Sequence, residues 1–307
     1  MNYLKNLKMQ TPIKKLVTHN GSFHTDDIFA AAALSLLLEK RGETFEIIRS
    51  RDESIIASGD YVFDVGGIYD QEKNRFDHHQ LGGAGQRENS IKYSSFGLVW
   101  KKFGVELCGS NKVADMIDFK VACPIDAWDN GIDIVKNTSS VAPYLMQHVF
   151  FAFYPTWREE DQDRDAIFPK CVDIAKMILS REIIQASDMM LALDKLTAIY
   201  LKTEDKRIIV LDDNYPFEFF LHNFSEPLYA IYPRKTDGTW GVKAIRSDIK
   251  TFQNRKDLPK SWGGLKGEEF QKVTGVSDAI FCHNALYLCG AQSKEGAIKL
   301  AQIALES

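Results

Sequence analysis

From residue 14 to about residue 104 the chain alternates short apolar runs with helix-forming stretches, and this pattern restricts its fold more than any other feature. Leu16-Val17-Thr18 precedes a helical pattern over Ile28 to Glu39, closed by Gly42. Phe45-Glu46-Ile47-Ile48, Tyr61-Val62-Phe63 and Arg75-Phe76-Asp77 read as further strands, and Ser94 to Phe103 as an amphipathic helix. Strands alternating with helices in this way predict a parallel, doubly wound α/β sheet. Lys112 to Asp129 extends the pattern as another helix, interrupted at Pro124.

After Asp163 the character changes to nearly forty residues of helix-forming sequence, ending near Tyr200 before the polar break Lys202-Thr203-Glu204-Asp205-Lys206. Beyond it, Arg207 to Leu211, Leu228 to Tyr232, Trp240 to Ile245, Ala279 to Cys282 and Ala285 to Leu288 read as strands. Short helices are expected around Phe217 and over Lys266 to Val273, and a last one over Lys294 to Leu305. A chain of 307 residues, 45% apolar, is long enough for two cored domains. The expected division is 1–160, a helical connector over 161–203, and a smaller α/β domain over 204–307. Charge follows that division. The whole chain carries −4, yet residues 231–272 hold ten basic residues against five acidic ones. A positive patch on an acidic protein is a local anion site.

Five cysteines without a Cys-x-x-Cys pair suit a reducing compartment. No run approaches the roughly 20 apolar residues of a membrane span, and residues 1–15 carry no leader pattern. A cytoplasmic protein with no membrane partner is expected.

The histidines carry the functional information. His19, His24, His78 and His79, four of the seven in the chain, fall in its first quarter, in polar segments after apparent strands, with Asp26, Asp27, Asp64 and Asp77 beside them. Loops following parallel strands converge at the carboxyl edge of the sheet, where ligands of such folds bind. Imidazoles and carboxylates gathered there suit divalent metal ions held by nitrogen and oxygen. Structural zinc is disfavoured because no cysteine joins the set.

His19-Asn20-Gly21-Ser22-Phe23-His24-Thr25-Asp26-Asp27, Asp64-Val65-Gly66-Gly67 and Asp77-His78-His79 together resemble the DHH phosphoesterase superfamily. Within it, Arg75-Phe76-Asp77-His78-His79-Gln80, Tyr93 to Trp100, Asp129-Asn130-Gly131-Ile132, Ser261 to Leu265 and Glu295-Gly296-Ala297 are most similar to the melanocyte-proliferating-gene (Myg) family, over nearly the whole chain. The resemblance implies a DHH-type catalytic domain and 3′→5′ exonucleolytic degradation of RNA. It implies two divalent ions, and imidazole ligands suit Mn²⁺ better than Mg²⁺. His19, His24 and Asp64 would hold one; Asp26, Asp64, His78 and Asp129 would hold the other, with Asp64 bridging. This sequence departs from the superfamily's first motif by an extra loop residue and by His24 where the first Asp belongs. Asp126 competes with Asp129 for the fourth motif, and Asp129 is favoured because Asn130-Gly131 follows it. His79 is the expected donor or general acid toward a scissile phosphate. Asp77 is expected to orient a ligating histidine, and Asp27 to serve the start of its helix.

In DHH enzymes a second domain with a Gly-Gly motif binds substrate, and Gly263-Gly264 resembles it. Glycines let backbone N–H groups approach a phosphate. Arg234, Arg246 and Lys266 are expected along a single-stranded backbone, while Trp240 and Trp262 read either as base platforms or as core. His283 is either a phosphate contact or structural; His148 and His222 read as structural. The substrate class is RNA or a short oligonucleotide, with oligomeric state open, a homodimer included. Two alternatives stand beside it: a phosphohydrolase of pyrophosphate, cyclic dinucleotides or nanoRNA, and a metal-bound nucleic-acid or nucleotide binder without turnover.

Overall fold

The computed structural model describes residues 12–248 and 250–307; the segment read for a leader lies largely outside them. The chain divides into two compact units, one ending at Ser187 and the other beginning at Asp188.

In the first unit, strand β1 (Lys14–Thr18) leads to helix α1 (Thr25–Arg41), β2 (Phe45–Arg49), α2 (Glu53–Ser58) and β3 (Tyr61–Phe63). Two short strands follow, β4 (Tyr69–Asp70) and β5 (Arg75–Phe76). The sheet order is β2-β1-β3-β5-β4. All neighbours are parallel except β4, which runs antiparallel to β5 as an edge the sequence pattern does not announce. The step from β1 to β2 and the longer step back from β2 to β3 go in opposite directions. With right-handed crossovers, α1 and α2 must then cover opposite faces. Side-chain alternation shows the same division. Val17 and Val62 pack with Ile55 and Ile56 of α2, whereas Tyr61 and Phe76 meet Phe103 on the other face. The doubly wound expectation holds, and the direction of winding reverses at β1 and β3.

Phe103 belongs to α3 (Ser95–Cys108), which lies against α1. The single helix expected over 112–129 is instead α4 (Asn111–Ile117), a π-helical turn over Asp118–Ala122, and α5 (Cys123–Asp129). Pro124 stands in the first turn of α5, where a missing N–H costs little, so the irregularity precedes the proline. Next come α6 (Met146–Phe151) and α7 (Arg164–Lys202).

The helix expected over 161–203 is α7, and both units draw on it. Phe168, early in α7, is fully buried and packs edge-on to Phe23, whereas Ala192, Leu196 and Tyr200 belong to the core of the second unit. Each part of the helix is held by apolar burial in its own unit, so the division falls inside α7, ahead of the polar break near residue 203.

The second unit contains β6 (Ile208–Val210), α8 (Phe217–His222), β7 (Tyr229–Arg234), β8 (Thr239–Ala244), α9 (Gly267–Thr274), β9 (Ala279–Cys282), β10 (Leu288–Ala291) and α10 (Lys294–Glu306). Its order is β6-β7-β8-β10-β9, with only β6 and β7 parallel. Ile231 and Val242 face Leu300 and Ala301 of α10; Ile209 and Ala230 face Leu196 and Leu221 on the other side. The last strand begins at Leu288. Of the expected Ala285 to Leu288 run, Ala285 to Tyr287 form the turn before it, and Leu286 there takes φ 56°.

Candidate metal centre

The carboxyl ends of β1 and β3 lie side by side at the winding reversal, the place where doubly wound sheets bind ligands. His19 follows β1 and Asp64 follows β3, and His19 Nε2 is 3.0 Å from Asp64 Oδ2. Asp64 has φ 54°, a conformation an L-residue takes only when its surroundings enforce it. Asp27 reaches the same place from the first turn of α1. Its Oδ1 accepts from the His24 N–H, as a helix-start carboxylate does, while its Oδ2 stands 3.4 Å from His19 Nε2. His19, Asp27 and Asp64 thus form one group of donors able to surround a metal ion.

A second set lies across Asp64. His78 Nε2 is 3.3 Å from Asp64 Oδ1 and 3.3 Å from Asp129 Oδ2, and 3.9 Å from Asp26 Oδ2. Asp64, His78 and His79 form one donor group here, and His24, Asp26 and Asp129 another. The structure therefore redistributes two residues relative to the sequence expectation. His24 gathers with Asp26 and Asp129 and not with His19; Asp27 takes the place beside His19. The reason is helical geometry. His24 caps α1 and Asp27 lies one turn on, so the two side chains leave the helix start in different directions.

Among the described residues, four buried polar atoms here lack hydrogen-bond partners: Asp26 Oδ1, Asp27 Oδ2, Asp64 Oδ1 and His78 Nε2. Buried polar atoms are normally paired, and four orphans converging in one place fit cations. Electrostatics agree. Burial, reinforced by neighbouring carboxylates, raises the pKa values of Asp26 and Asp27, and raises Asp129 to about 9. Burial also opposes ionisation of Asp64, but the imidazoles of His19 and His78 hold its carboxyl well below the usual range. His78 resists charging through burial, yet the carboxylates of Asp64, Asp26 and Asp129 lift it to about 9. Without metal, protons partly neutralise this centre.

Asp77 acts from outside the set. Its carboxylate accepts from the N–H groups of Gly67 and His79 and lies 2.7 Å from His79 Nδ1. That contact raises the His79 pKa and fixes the exposed ring over the cleft beside the metal centre.

Asp126, the competitor of Asp129, is committed elsewhere. It accepts from Arg87 Nη1 at 2.6 Å, Ser94 Oγ at 2.5 Å and the Gly97 N–H at 3.1 Å. Arg87 also grips Asp118 through Nε and Nη2. A Cβ on Gly97 would lie 1.8 Å from the Asp126 carboxylate, so only glycine fits there.

In the second unit the expected substrate contacts are rearranged. The Gly263 N–H bonds to Lys260 O and the Gly264 N–H to Cys282 O, so neither amide is left for a phosphate. Gly264, at φ 78°, is needed because a Cβ would meet Asn284 Oδ1 at 2.2 Å. Trp262 is core, edge-on to Phe270. Arg234 pairs with Asp237, Lys235 with Asp213 and Lys243 with Glu218, which neutralises part of the basic cluster. Arg246 lies over the exposed Phe252 ring, Lys266 is exposed before α9, and the exposed His283 accepts from the Ala285 N–H through Nδ1. Among the described residues these three make no ion pair.

A sequence profile named MYG1_exonuc, described as "Uncharacterised protein family (UPF0160)", matches residues 15–305. The chain belongs to this MYG1 family. The MYG1 protein C694.04c of Schizosaccharomyces pombe is 30% identical, covering 95% of this chain and 97% of its own. The MYG1 exonuclease of Homo sapiens is 29% identical over 97% and 87%, respectively. Among solved structures, an exopolyphosphatase-related protein from Bacteroides fragilis covers 95% of this chain and 92% of its own at 10% identity and TM-score 0.25. RecJ from Thermus thermophilus, in complex with Mn²⁺, covers 96% and 52% at 11% identity and TM-score 0.27. Likenesses that weak bear on neither fold nor chemistry.

The folded MYG1-family chain also uses residues that the sequence reading passed over. Arg51, just after β2, lines the cleft with His19, His24, Asp64 and His79, a cleft of about 680 Å³. The strand-end argument that found His19 reaches it equally. Ser95 donates to Asp26 Oδ2 at 2.7 Å, and Gln147 Oε1 accepts from the Thr25 N–H. Nothing local in the sequence signals the Gln147 contact, because its partner is 122 residues away.

Proposed function

We propose that this protein is a metal-dependent phosphodiesterase acting as a 3′→5′ exonuclease on RNA or short oligonucleotides. The observation that supports it most is the position of Asp64, which offers one oxygen to His19 and the other to His78. A carboxylate so placed suits two divalent ions, one held by His19, Asp27 and Asp64, the other by Asp26, Asp64, His78 and Asp129. His24 lies beside the second set. Such ions, Mn²⁺ or Mg²⁺, supply Lewis acidity toward a phosphoryl oxygen and lower the pKa of water. The name MYG1 exonuclease carried by the human relative supports a nucleic-acid substrate.

The chain's own residues supply the remainder. Asp77 occupies His79 Nδ1, leaving Nε2 to hold or deliver a proton at a leaving oxygen. Arg51 is the cation of the cleft and suits a non-bridging phosphate oxygen. In the second unit Arg246, Lys266 and His283 suit the backbone of a strand, through side chains and not through the Gly263-Gly264 amides.

The test is incubation with Mn²⁺ and 5′- or 3′-labelled RNA and DNA oligomers of graded length. A ladder shortening from the 3′ end, with RNA preferred, is expected. Turnover of pyrophosphate or a cyclic dinucleotide alone would replace the reading with a small-molecule phosphohydrolase. Tight oligonucleotide binding without any product would make the protein a binder.

A further inference from the structure

Beside the metal centre, still within the first unit, is a cavity of about 150 Å³ walled by Pro124, Trp128, Ile132, Leu145 and Met146. Its lining adjoins the donors along the chain. Thr25, which also lines it, sits between His24 and Asp26, and Trp128 immediately precedes Asp129. The His24 and Trp128 rings are 6.3 Å apart. Among the described residues lining the cavity Asp133 alone is charged, and it repels phosphate. Ile134 and Val135 at its edge are about half exposed.

One polar group in the lining is unspent. Gln147 is 2% exposed, and its Oε1 accepts from both the N–H and the hydroxyl of Thr25. An oxygen must face the Thr25 N–H, so the amide orientation is determined and Nε2 is the remaining donor. Nε2 has no partner. An apolar slot walled by an indole selects a flat, neutral ring. A cavity of this size accommodates one six-membered aromatic ring.

We infer that this cavity is a base subsite, taking the nucleobase of a nucleotide that flanks the phosphate at the metal centre, with the ring against Trp128. The identity of the ligand rests on the exonuclease reading; the cavity's preference for a neutral ring does not. Its volume favours a pyrimidine over a purine.

The test compares the Mn²⁺-loaded protein on a complete oligonucleotide and on the same oligonucleotide with an abasic residue at the terminal or the penultimate position. Stacking a base on an aromatic ring predicts a KM about tenfold higher for one of the two abasic substrates. Met146→Trp fills the slot, and Ile134→Trp narrows its edge from an exposed position should the first variant fold poorly. Either variant should bring the KM ratio between abasic and complete substrates toward one. A wild-type ratio near one at both positions, or an unchanged ratio in a folded variant, overturns the inference. Calorimetry with uridine monophosphate and ribose 5-phosphate separates this from the exonuclease reading. Tighter binding of uridine monophosphate, lost in Met146→Trp, supports the subsite even if RNA is never hydrolysed. Equal affinities overturn the subsite even if RNA is degraded.

Discussion

The clusters around Asp64 and around Arg87 are both buried and acidic, and both draw on helix α5, through Asp129 and Asp126. In the Arg87 cluster every carboxylate oxygen of Asp126 has a partner: a guanidinium, a serine hydroxyl and the Gly97 amide. In the Asp64 cluster oxygens of Asp26, Asp27 and Asp64 and the Nε2 of His78 have none. Two aspartates three residues apart thus do opposite things. A closed polar cluster holds helices in register, whereas an open one leaves charge that something outside the chain must satisfy. The second unit resembles the closed case, with Asp278 accepting from both the N–H and the hydroxyl of Ser293 at the start of α10.

The comparison breaks most sharply at Asp64. Asp64→Ala should lower turnover on the order of 10⁴-fold at saturating Mn²⁺, because both donor sets lose their common member. The variant should still fold, with a lower metal-free melting temperature near neutrality, since His19 and His78 lose the carboxylate they stabilise. A folded variant with more than a tenth of wild-type activity would discard the centre. Asp126→Ala should do the reverse, costing about 3–5 kcal/mol of stability by leaving Arg87 buried with Asp118 alone. Denaturant melts measure that cost, and a loss below about 1 kcal/mol would mean the cluster is not closed in solution.

Proton release tests the open cluster directly. His78, raised from 6.5 to about 9, and the raised Asp129 are protonated near neutrality in the metal-free protein, whereas ligands must be deprotonated. Mn²⁺ binding should therefore expel about one proton or more per ion near pH 7, and affinity should climb as pH rises toward 9. Calorimetry in buffers of different ionisation enthalpy measures the release; a pH-independent affinity would contradict these protonation states.

Smaller effects sharpen the contrast within the second unit. Gly264→Ala should cost about 1–3 kcal/mol through its left-handed backbone and the approach to Asn284, a loss read by thermal melting. Arg246→Ala and Lys266→Ala should leave melting temperatures alone and raise KM for oligonucleotides a few-fold. Each should also reduce the salt slope of binding by about one. If Gly264→Ala weakened binding without destabilising the unit, the Gly-Gly pair would face substrate after all.

Much of the scaffold was legible because it depends on periodicity. The strand–helix alternation put His19, Asp64 and His78 at one edge of a parallel sheet before any contact was known, and Gly42 closes α1 as expected, at φ 70°. Where the reading failed, a local signal was ambiguous. Pro124 reads as a break although prolines also open helices, and Leu286 hides a turn inside an apolar run. Counting ten cations over 231–272 could not foresee that Arg234, Lys235 and Lys243 close on acidic partners of their own unit.

The order of polar and apolar residues, by itself, determined that histidines and aspartates would meet at the ends of β1 and β3. That follows from the two-residue period of a strand and the handedness of its crossovers, which need no knowledge of distant contacts. Only the tertiary structure decided which carboxylates stay open. Asp126 and Asp129 sit on one short helix, and what separates them is Arg87 and Ser94, more than thirty residues earlier, closing around the first and not the second. The same holds for Asp27 against His24 and for the unspent amide of Gln147. Partnering is a property of three-dimensional neighbourhoods, and a polar atom becomes chemically available only when the whole fold leaves it unpaired.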